Sequence, residues 1–266
     1  MNAVIIRIKS LCFKGFMHAK ITAVFRDLCR GLTDLVYPAC CILCKTPLSA
    51  LEKTHRLCFA CQAKLQKNRP PFCRRCSRPL ENPNHRVCLN CQDTKLDFDQ
   101  AWGVFLFNDT MQRLLHIFKY GHKTSLRHFL SDGILSFLRD YQLDLQDCDL
   151  IVPIPLHPAR LRERGYNQST LIAEILSAEL NIPIDHKNLL RIRHTPNQAR
   201  LSQKERWTNI QAAFKIKPHN NFRRKNILLV DDLFTTGATV SQAAKTLKAA
   251  GAAKITVLTI AIAAKS

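Results

Sequence analysis

Long hydrophobic runs are missing. No stretch of about 20 consecutive apolar residues occurs in the 266-residue chain, which excludes a transmembrane helix. An export signal is missing too. The opening segment, MNAVIIRIKSLCFKGFMHAKITAVF, mixes basic and apolar residues in runs too short for the hydrophobic region of a signal peptide. It suits an amphipathic helix lying on a membrane, an extension packed on the body, or a leader before a start at Met17. The expectation is a cytoplasmic protein, with a peripheral place at the inner membrane face open to the amphipathic segment. Acidic residues are also scarce: 20 Asp and Glu face 40 Lys and Arg, for a net charge of +20 and a pI near 9.8. Such an excess implies an anionic partner, whether nucleic acid, phosphorylated small molecule or anionic membrane. It is spread along the chain, with 17 basic and 6 acidic residues in 1–98 and 23 and 14 in the remainder.

What is present falls into two textures. Residues 38–95 are rich in Cys, Pro and basic residues and show little periodicity. Eight of the twelve cysteines form four C-x-x-C knuckles: Cys41/Cys44, Cys58/Cys61, Cys73/Cys76 and Cys88/Cys91. In a chain without an export signal, paired thiols bind metal more often than each other. Intervals of 13 and 11 residues between knuckles are close to those of structural zinc ribbons. Four thiolates complete a closed tetrahedral shell with no open position, so two structural zinc ions are expected. Sequential pairing of the knuckles makes two ribbons and interleaved pairing a cross-brace; the sequential arrangement is favoured. Cys40 is an alternative to Cys41 that breaks the two-residue spacing, and Cys12, Cys29 and Cys148 stand alone as packing residues. The arginines Arg74, Arg75, Arg78 and Arg86 read as basic loops suited to the phosphates of single-stranded DNA, with few aromatics (Phe59, Phe72) beside them for stacking.

From residue 96 onward the pattern changes to α/β. AWGVFLF reads as a strand, and DTMQRLLHIFKY as a helix capped by Asp109 and ended near Gly121. LIVPIP, NILLV and KITVLTIAIAA are apolar runs fit for buried parallel strands, and STLIAEILSAEL and TVSQAAKTLKAA are helices. Strands alternating with helices predict a parallel sheet with helices on both faces. Three segments follow: a basic N-terminal extension over 1–37, a double zinc-ribbon module over 38–95 and an α/β domain over 96–266.

The stretch ILLVDDLFTTGATV, residues 227–240, is the most informative. A buried strand ends in two adjacent carboxylates, Asp231 and Asp232, and runs through hydroxyls and a glycine into a helix. Ligands of open α/β sheets bind at the carboxyl ends of strands. Backbone amides and threonine hydroxyls gathered at a helix N-terminus suit a phosphate monoester, and paired carboxylates suit the hydroxyls of a sugar diol. The alternative is a plain strand, turn and helix.

An apolar strand, two acidic residues and T-T-G-A-T resemble the phosphoribosyl-pyrophosphate motif of type I phosphoribosyltransferases. VPIPLHPARLRERGYNQS, residues 152–169, resembles the loop that holds pyrophosphate in that superfamily. With the knuckles in front, KYG at 119–121, RGYNQ at 164–168 and RHTPNQARLSQKERWTNIQAAF at 193–214, nearly the whole chain resembles the ComF competence family. The resemblance implies a type I phosphoribosyltransferase fold behind a double zinc ribbon. It implies an enzyme that binds phosphoribosyl pyrophosphate with Mg²⁺ and transfers phosphoribose to an acceptor, or a non-catalytic module that binds single-stranded DNA or senses nucleotides. It also implies a role in competence and DNA uptake beside a helicase partner.

Carried over by motif, Thr235, Thr236, Gly237, Ala238 and Thr239 hold the phosphate, with Gly237 admitting close backbone approach. Asp231 and Asp232 take the ribose hydroxyls and help place Mg²⁺. Pro155, Leu156 and His157 supply the pyrophosphate loop, with Arg160, Arg162 and Arg164 as nearby cations and Lys119 as a further one. Arg193, Gln198, Arg206 and Asn209 fall in the segment that resembles the family's mobile loop. Thr235 stands where relatives of the hypoxanthine–guanine type carry an aspartate, so no base for the acceptor is named and its identity stays open.

Overall fold

The computed structural model describes residues 38–195 and 203–264. The expected extension over 1–37, Cys12, Cys29 and Gln198 lie outside the described residues. The chain divides into two compact units, residues 1–59 and 60–266. No helix among the described residues is long and apolar enough to cross a membrane.

Both cysteine-rich segments are built on one knuckle pattern, repeated 32 residues apart. The amide of Cys41 donates to the carbonyl of Thr46 (2.8 Å), that of Lys45 returns to Cys41 (2.9 Å), and that of Leu48 reaches Ala39 (2.8 Å). In the later copy Cys73 donates to Arg78 (2.8 Å), Ser77 to Cys73 (2.8 Å) and Leu80 to Pro71 (2.9 Å). Lys45 and Ser77 take the left-handed backbone (φ 66 and 58) that closes each turn. In the first unit, the Glu52 carboxylate accepts from the Ser49 amide (2.8 Å) and hydroxyl (2.6 Å) and from the Phe59 amide (2.6 Å). Hydrogen bonds from Ser49 and then from Phe59 hold its pKa below the usual carboxylate value. Helix α1, Phe59–Ala63, and helix α2, Leu89–Asp93, each carry the closing cysteine of a knuckle, Cys61 and Cys91.

The second unit is organised by four parallel strands: β1 (Gln100–Leu106), β2 (Leu150–Pro153), β5 (Asn226–Phe234) and β6 (Lys254–Ile262), in the order β1–β6–β5–β2. Their apolar runs are continuous rather than alternating, because a parallel sheet is covered on both faces. Ile227, Leu229, Ile255 and Val257 share one core with helix α8 (Ala238–Ala249), through Val240, Ala243, Ala244 and Leu247. The intervening Leu228 and Val230 are equally buried, and β2 and β5 also pack on helix α6 (Gln168–Leu180). The predicted parallel sheet with helices on both faces is therefore present.

Local chemistry sets the remaining boundaries. Helix α3 (Asp109–Tyr120) is capped by Asn108, whose side chain accepts from the Met111 amide, and not by Asp109, which is its first residue. Helix α4 (Leu126–Asp140) lies in a stretch with no assignment from the sequence, and helix α5 (Pro158–Arg164) lies in the segment that resembles the pyrophosphate loop. Gly165 ends α5 in the left-handed conformation (φ 77) and Asn167 caps α6 two residues later, so RGYNQ is one helix stop followed by one start. Strands β3 (Leu189–Arg191) and β4 (Phe214–Ile216) form a small antiparallel ladder, with helix α7 (Gln203–Ile210) between them in sequence.

The later ribbon is not appended to this body. Cys73, Cys76 and Cys91 lie in the same core as Leu96, Phe98 and α8. Asn68 donates to the carbonyls of Ser77 (2.7 Å) and Gly103 (3.0 Å), and the Gly103 amide donates to the Ser77 hydroxyl (2.7 Å). Gly103 must be glycine, because a Cβ there would sit 2.4 Å from Ile262 Cβ. Gly103→Ala should lower the stability of the folded protein by about 1–3 kcal/mol, measured by urea unfolding; an unchanged midpoint would show that β1 and β6 move apart freely.

Candidate functional site

The sequential pairing of the knuckles is the one the fold adopts. The sulfurs of Cys41, Cys44, Cys58 and Cys61 lie within 4.8 Å of one another, as do those of Cys73, Cys76, Cys88 and Cys91. The Cys44–Cys58 and Cys76–Cys88 sulfurs are 3.5 and 3.6 Å apart. Four thiolates about 2.3 Å from one ion fit those spacings, so the donor sets suit two closed tetrahedral zinc sites. Hydrogen bonds from the Thr46 side chain and then its amide hold the Cys44 thiol down at about 6, which keeps it in the form that binds metal. Cys148, expected to stand alone, is half-buried, and burial raises its pKa.

The second centre is a cavity of about 280 Å³ at the carboxyl ends of β2 and β5. Asp231 and Asp232 line it from β5. Asp231 Oδ1 accepts from the Ser169 hydroxyl (3.2 Å) and from the amide of Asp232 (2.9 Å), and Asp232 Oδ2 is paired with Lys119 Nζ at 2.8 Å. Burial, followed by the charge of Asp232 beside it, pushes the Asp231 carboxyl up from 3.8 to about 7. Beyond them, Thr235 and Thr239 line the cavity, while Thr236, Gly237 and Ala238 are buried. Gly237 starts α8 without a side-chain cap, and the first amides of a helix have no intrahelical partner. The requirement for glycine has an internal cause: φ is 81, and a Cβ would meet Phe234 Cζ at 2.8 Å.

Cations crowd the same cavity. Lys119, Arg160, Arg164, Arg191 and Arg206 line it, against two carboxylates. Arg160 donates to the Thr195 carbonyl (2.7 Å) and Arg191 to the Thr195 hydroxyl (2.7 Å). Arg164 donates to Gln168 Oε1 (3.1 Å) and to the Tyr120 hydroxyl (2.9 Å). Neutral oxygens thus hold all three guanidiniums, and none forms an ion pair among the described residues. Arg191 is nine-tenths buried and its Nε has no hydrogen-bond partner. Burial first, and then the charge of Arg160, pulls its pKa down to about 10. Like charges gathered under such conditions favour the arrival of an anion.

Not every expected residue reaches this cavity. Of the pyrophosphate-loop trio only Leu156 lines it; Pro155 lies on a neighbouring groove, as does His157, whose ring Nδ1 accepts from the Ala159 amide (3.2 Å) and caps α5. Arg162 and Arg193 are exposed, Arg193 donating to the Gln211 carbonyl. Arg206 reaches the cavity and Asn209 does not. Arg78, read as part of an exposed basic loop, is only 3 % exposed, whereas Arg74 and Arg86 do face solvent. Arg191 and Ser169 were not anticipated. The signal for Arg191 was its place at an inward position of a short strand, after buried Leu189.

Two measurements test these centres. Reduced, unchelated protein should hold about two zinc ions per chain, and Cys58→Ser or Cys88→Ser should each remove one; metal analysis finding one or none in the parent protein contradicts the double shell. For Asp231, the folded pKa of about 7 lies above the ordinary 3.8, so ionising it in the fold costs stability that grows as pH rises from 3.8 and is fully expressed above 7. Asp231→Asn should therefore raise the melting temperature, in buffer free of added divalent ions, by an amount that widens up to about pH 7 and then levels. A pH-independent difference would contradict the burial argument.

Comparison with known proteins agrees with this architecture. Residues 32–92 match the double zinc ribbon domain, and residues 167–266 match the phosphoribosyl transferase domain. Competence protein F of Haemophilus influenzae is 30% identical over 82% of this chain and 94% of its own length. Competence protein ComFC of Bacillus subtilis is 31% identical over 82% and 92%, and the DNA utilization protein YhgH of Salmonella typhimurium is 30% identical over 84% and 96%. Among solved structures, a purine phosphoribosyltransferase from Pyrococcus horikoshii is 16% identical, with 52% of this chain and 84% of that chain covered at a TM-score of 0.33. A double zinc ribbon followed by a phosphoribosyltransferase domain, on a chain this similar to competence protein F and ComFC over most of its length, belongs to the ComF competence family.

Proposed function

We propose that the cavity binds phosphoribosyl pyrophosphate with Mg²⁺ and that the protein transfers phosphoribose to a nitrogen acceptor. The observation that carries this reading is the charge distribution: five cations and two carboxylates share one cavity with a helix N-terminus. A monophosphate needs far less positive charge. A ligand with a phosphate at one end, a diol in the middle and a diphosphate at the other uses all of it.

In this reading the 5′-phosphate sits on the Thr235–Thr239 loop at the start of α8, where amides and hydroxyls gather. Asp231 and Asp232 accept from the ribose hydroxyls. The diphosphate lies beside Leu156, Arg160, Arg164 and Arg191, whose forked donors match phosphate oxygens. Carboxylate oxygens are hard donors suited to Mg²⁺, which when bound neutralises charge on the diphosphate. Lys119, paired with Asp232, is the group that must yield or share when the ligand arrives. The protein's own contribution to transfer is to hold the anomeric carbon between acceptor and leaving group and to stabilise the diphosphate as its charge develops.

The names of the relatives place those proteins in competence and DNA utilization, and we extend that setting to this chain, acting in the cytoplasm. Within it, residues 38–95 act as the ribbon module and 96–266 as the transferase domain. Single-stranded DNA and a helicase partner rest on family membership; the cavity bears on neither. With Arg78 buried and Arg75 donating to the Leu96 carbonyl (2.7 Å), only Arg74 and Arg86 of the four ribbon arginines remain as exposed phosphate contacts.

Calorimetry decides the central claim. Wild type should bind phosphoribosyl pyrophosphate in the presence of Mg²⁺, and Asp231→Ala with Asp232→Ala should weaken binding by about 100-fold or more, the worth of two charge-assisted hydrogen bonds. The double variant should remain folded. Wild-type affinity in that variant would place the ligand elsewhere, and a pyrophosphate-release screen over bases and nucleic acids would then identify the acceptor only for a protein that passes the first test.

A further inference from the structure

Arg78 stands at the third knuckle, two residues after Cys76, yet its side chain leaves the knuckle altogether. It is 3 % exposed. Its Nη2 donates to the carbonyl of Thr235, the first residue of the phosphate loop, and its Nε donates to the carbonyl of Ala263 at 3.2 Å. Its guanidinium carbon lies 5.7 Å from the centre of the Phe234 ring. That ring packs edge-on against Phe98 (5.9 Å between centroids) and touches the place where Gly237 would carry a side chain. The Ala263 amide in turn donates to the Phe234 carbonyl (2.8 Å). One arginine therefore grips the end of β5, the end of β6 and the entrance to the loop.

Nothing in the knuckle itself calls for this residue. The equivalent position in the first copy is Thr46, whose backbone carbonyl accepts from Cys41 as that of Arg78 accepts from Cys73, but whose side chain stays in its own knuckle, 3.2 Å from the Cys44 sulfur. A buried guanidinium without a carboxylate partner is costly unless its donors are used. Here they are used on two carbonyls, one of which belongs to the loop that gathers amides at the start of α8.

We propose that Arg78 is a positioning residue through which the second cysteine shell fixes the phosphate loop. This rests on the reading of residues 235–239 as the phosphate site, although the mechanical link does not require it. The backbone of Arg78 is locked by the Cys73–Arg78 hydrogen bond inside a turn whose two cysteines share the second thiol group. Its side chain carries that rigidity to Thr235. The peptide whose carbonyl accepts from the guanidinium has its N–H on Thr236, and a charged donor at one end of a peptide makes the other end a stronger donor. The ribbon thus aims the loop and sharpens its anion-binding amides without touching the ligand.

The test compares Arg78→Met, Arg78→Lys and wild type, all zinc-loaded and at equal zinc content. Amide hydrogen exchange across residues 235–241, without ligand, should speed up on the order of tenfold in Arg78→Met, the worth of one charge-assisted hydrogen bond, and less in Arg78→Lys. Exchange in 226–230 should stay at the wild-type rate. Affinity for ribose 5-phosphate should fall by a similar factor and be partly restored in Arg78→Lys. Wild-type exchange in the loop of a folded, zinc-loaded Arg78→Met overturns the proposal; if that variant does not fold, wild-type exchange in Arg78→Lys does so. Should wild type itself fail to bind ribose 5-phosphate, the phosphate reading falls, and the exchange rates still decide the link.

Discussion

Two carboxylates at consecutive positions of a buried strand repel each other and lose water together, and the folded state must hold that pair in place. Asp231 meets the demand partly by resisting ionisation, with Ser169 and a neighbouring amide as its donors. Asp232 meets it with Lys119. Those partners come from α6 and α3, which explains why segments far apart in sequence converge on the end of β5. The ring of arginines then answers a different need, since two carboxylates do not balance five cations. This excess of positive charge beside a carboxylate pair is what supports the proposed ligand, with its diol and several phosphates.

The same arrangement shows what could be read from the chain beforehand. Continuous apolar strands, the acidic pair and the thiol spacing are local signals, and each led to the right element or pairing. Strand alternation could turn Arg191 inward, but its pairing with Thr195 was out of reach because it depends on a tertiary fact: one hydroxyl and one carbonyl of the same residue hold two guanidiniums together. His157 has a part in the fold that its place before a proline did not announce: its ring closes the first turn of α5.

Gly237 and Arg78 show a subtler limit. The glycine was expected on account of the ligand, but Phe234 and a positive φ already demand it on their own. Arg78 looked like a solvent-facing charge because its neighbours Arg74 and Arg75 are basic too. Which member of a basic cluster turns inward is decided by the carbonyls available to it, and these are supplied by residues 157 and 185 positions later in the chain.

The repeated knuckle also bears on how such a chain can be rearranged by recombination. Replacing the whole cysteine-rich segment by another ribbon would leave the interior open at Phe98 and Phe234 and strand the carbonyls of Thr235 and Ala263 without their donor. The two sequence families that meet in this protein are therefore joined by more than a peptide bond. A donor ribbon fits this body best when it brings a long, forked cation to the place of Arg78, which couples the later ribbon to the body it packs on.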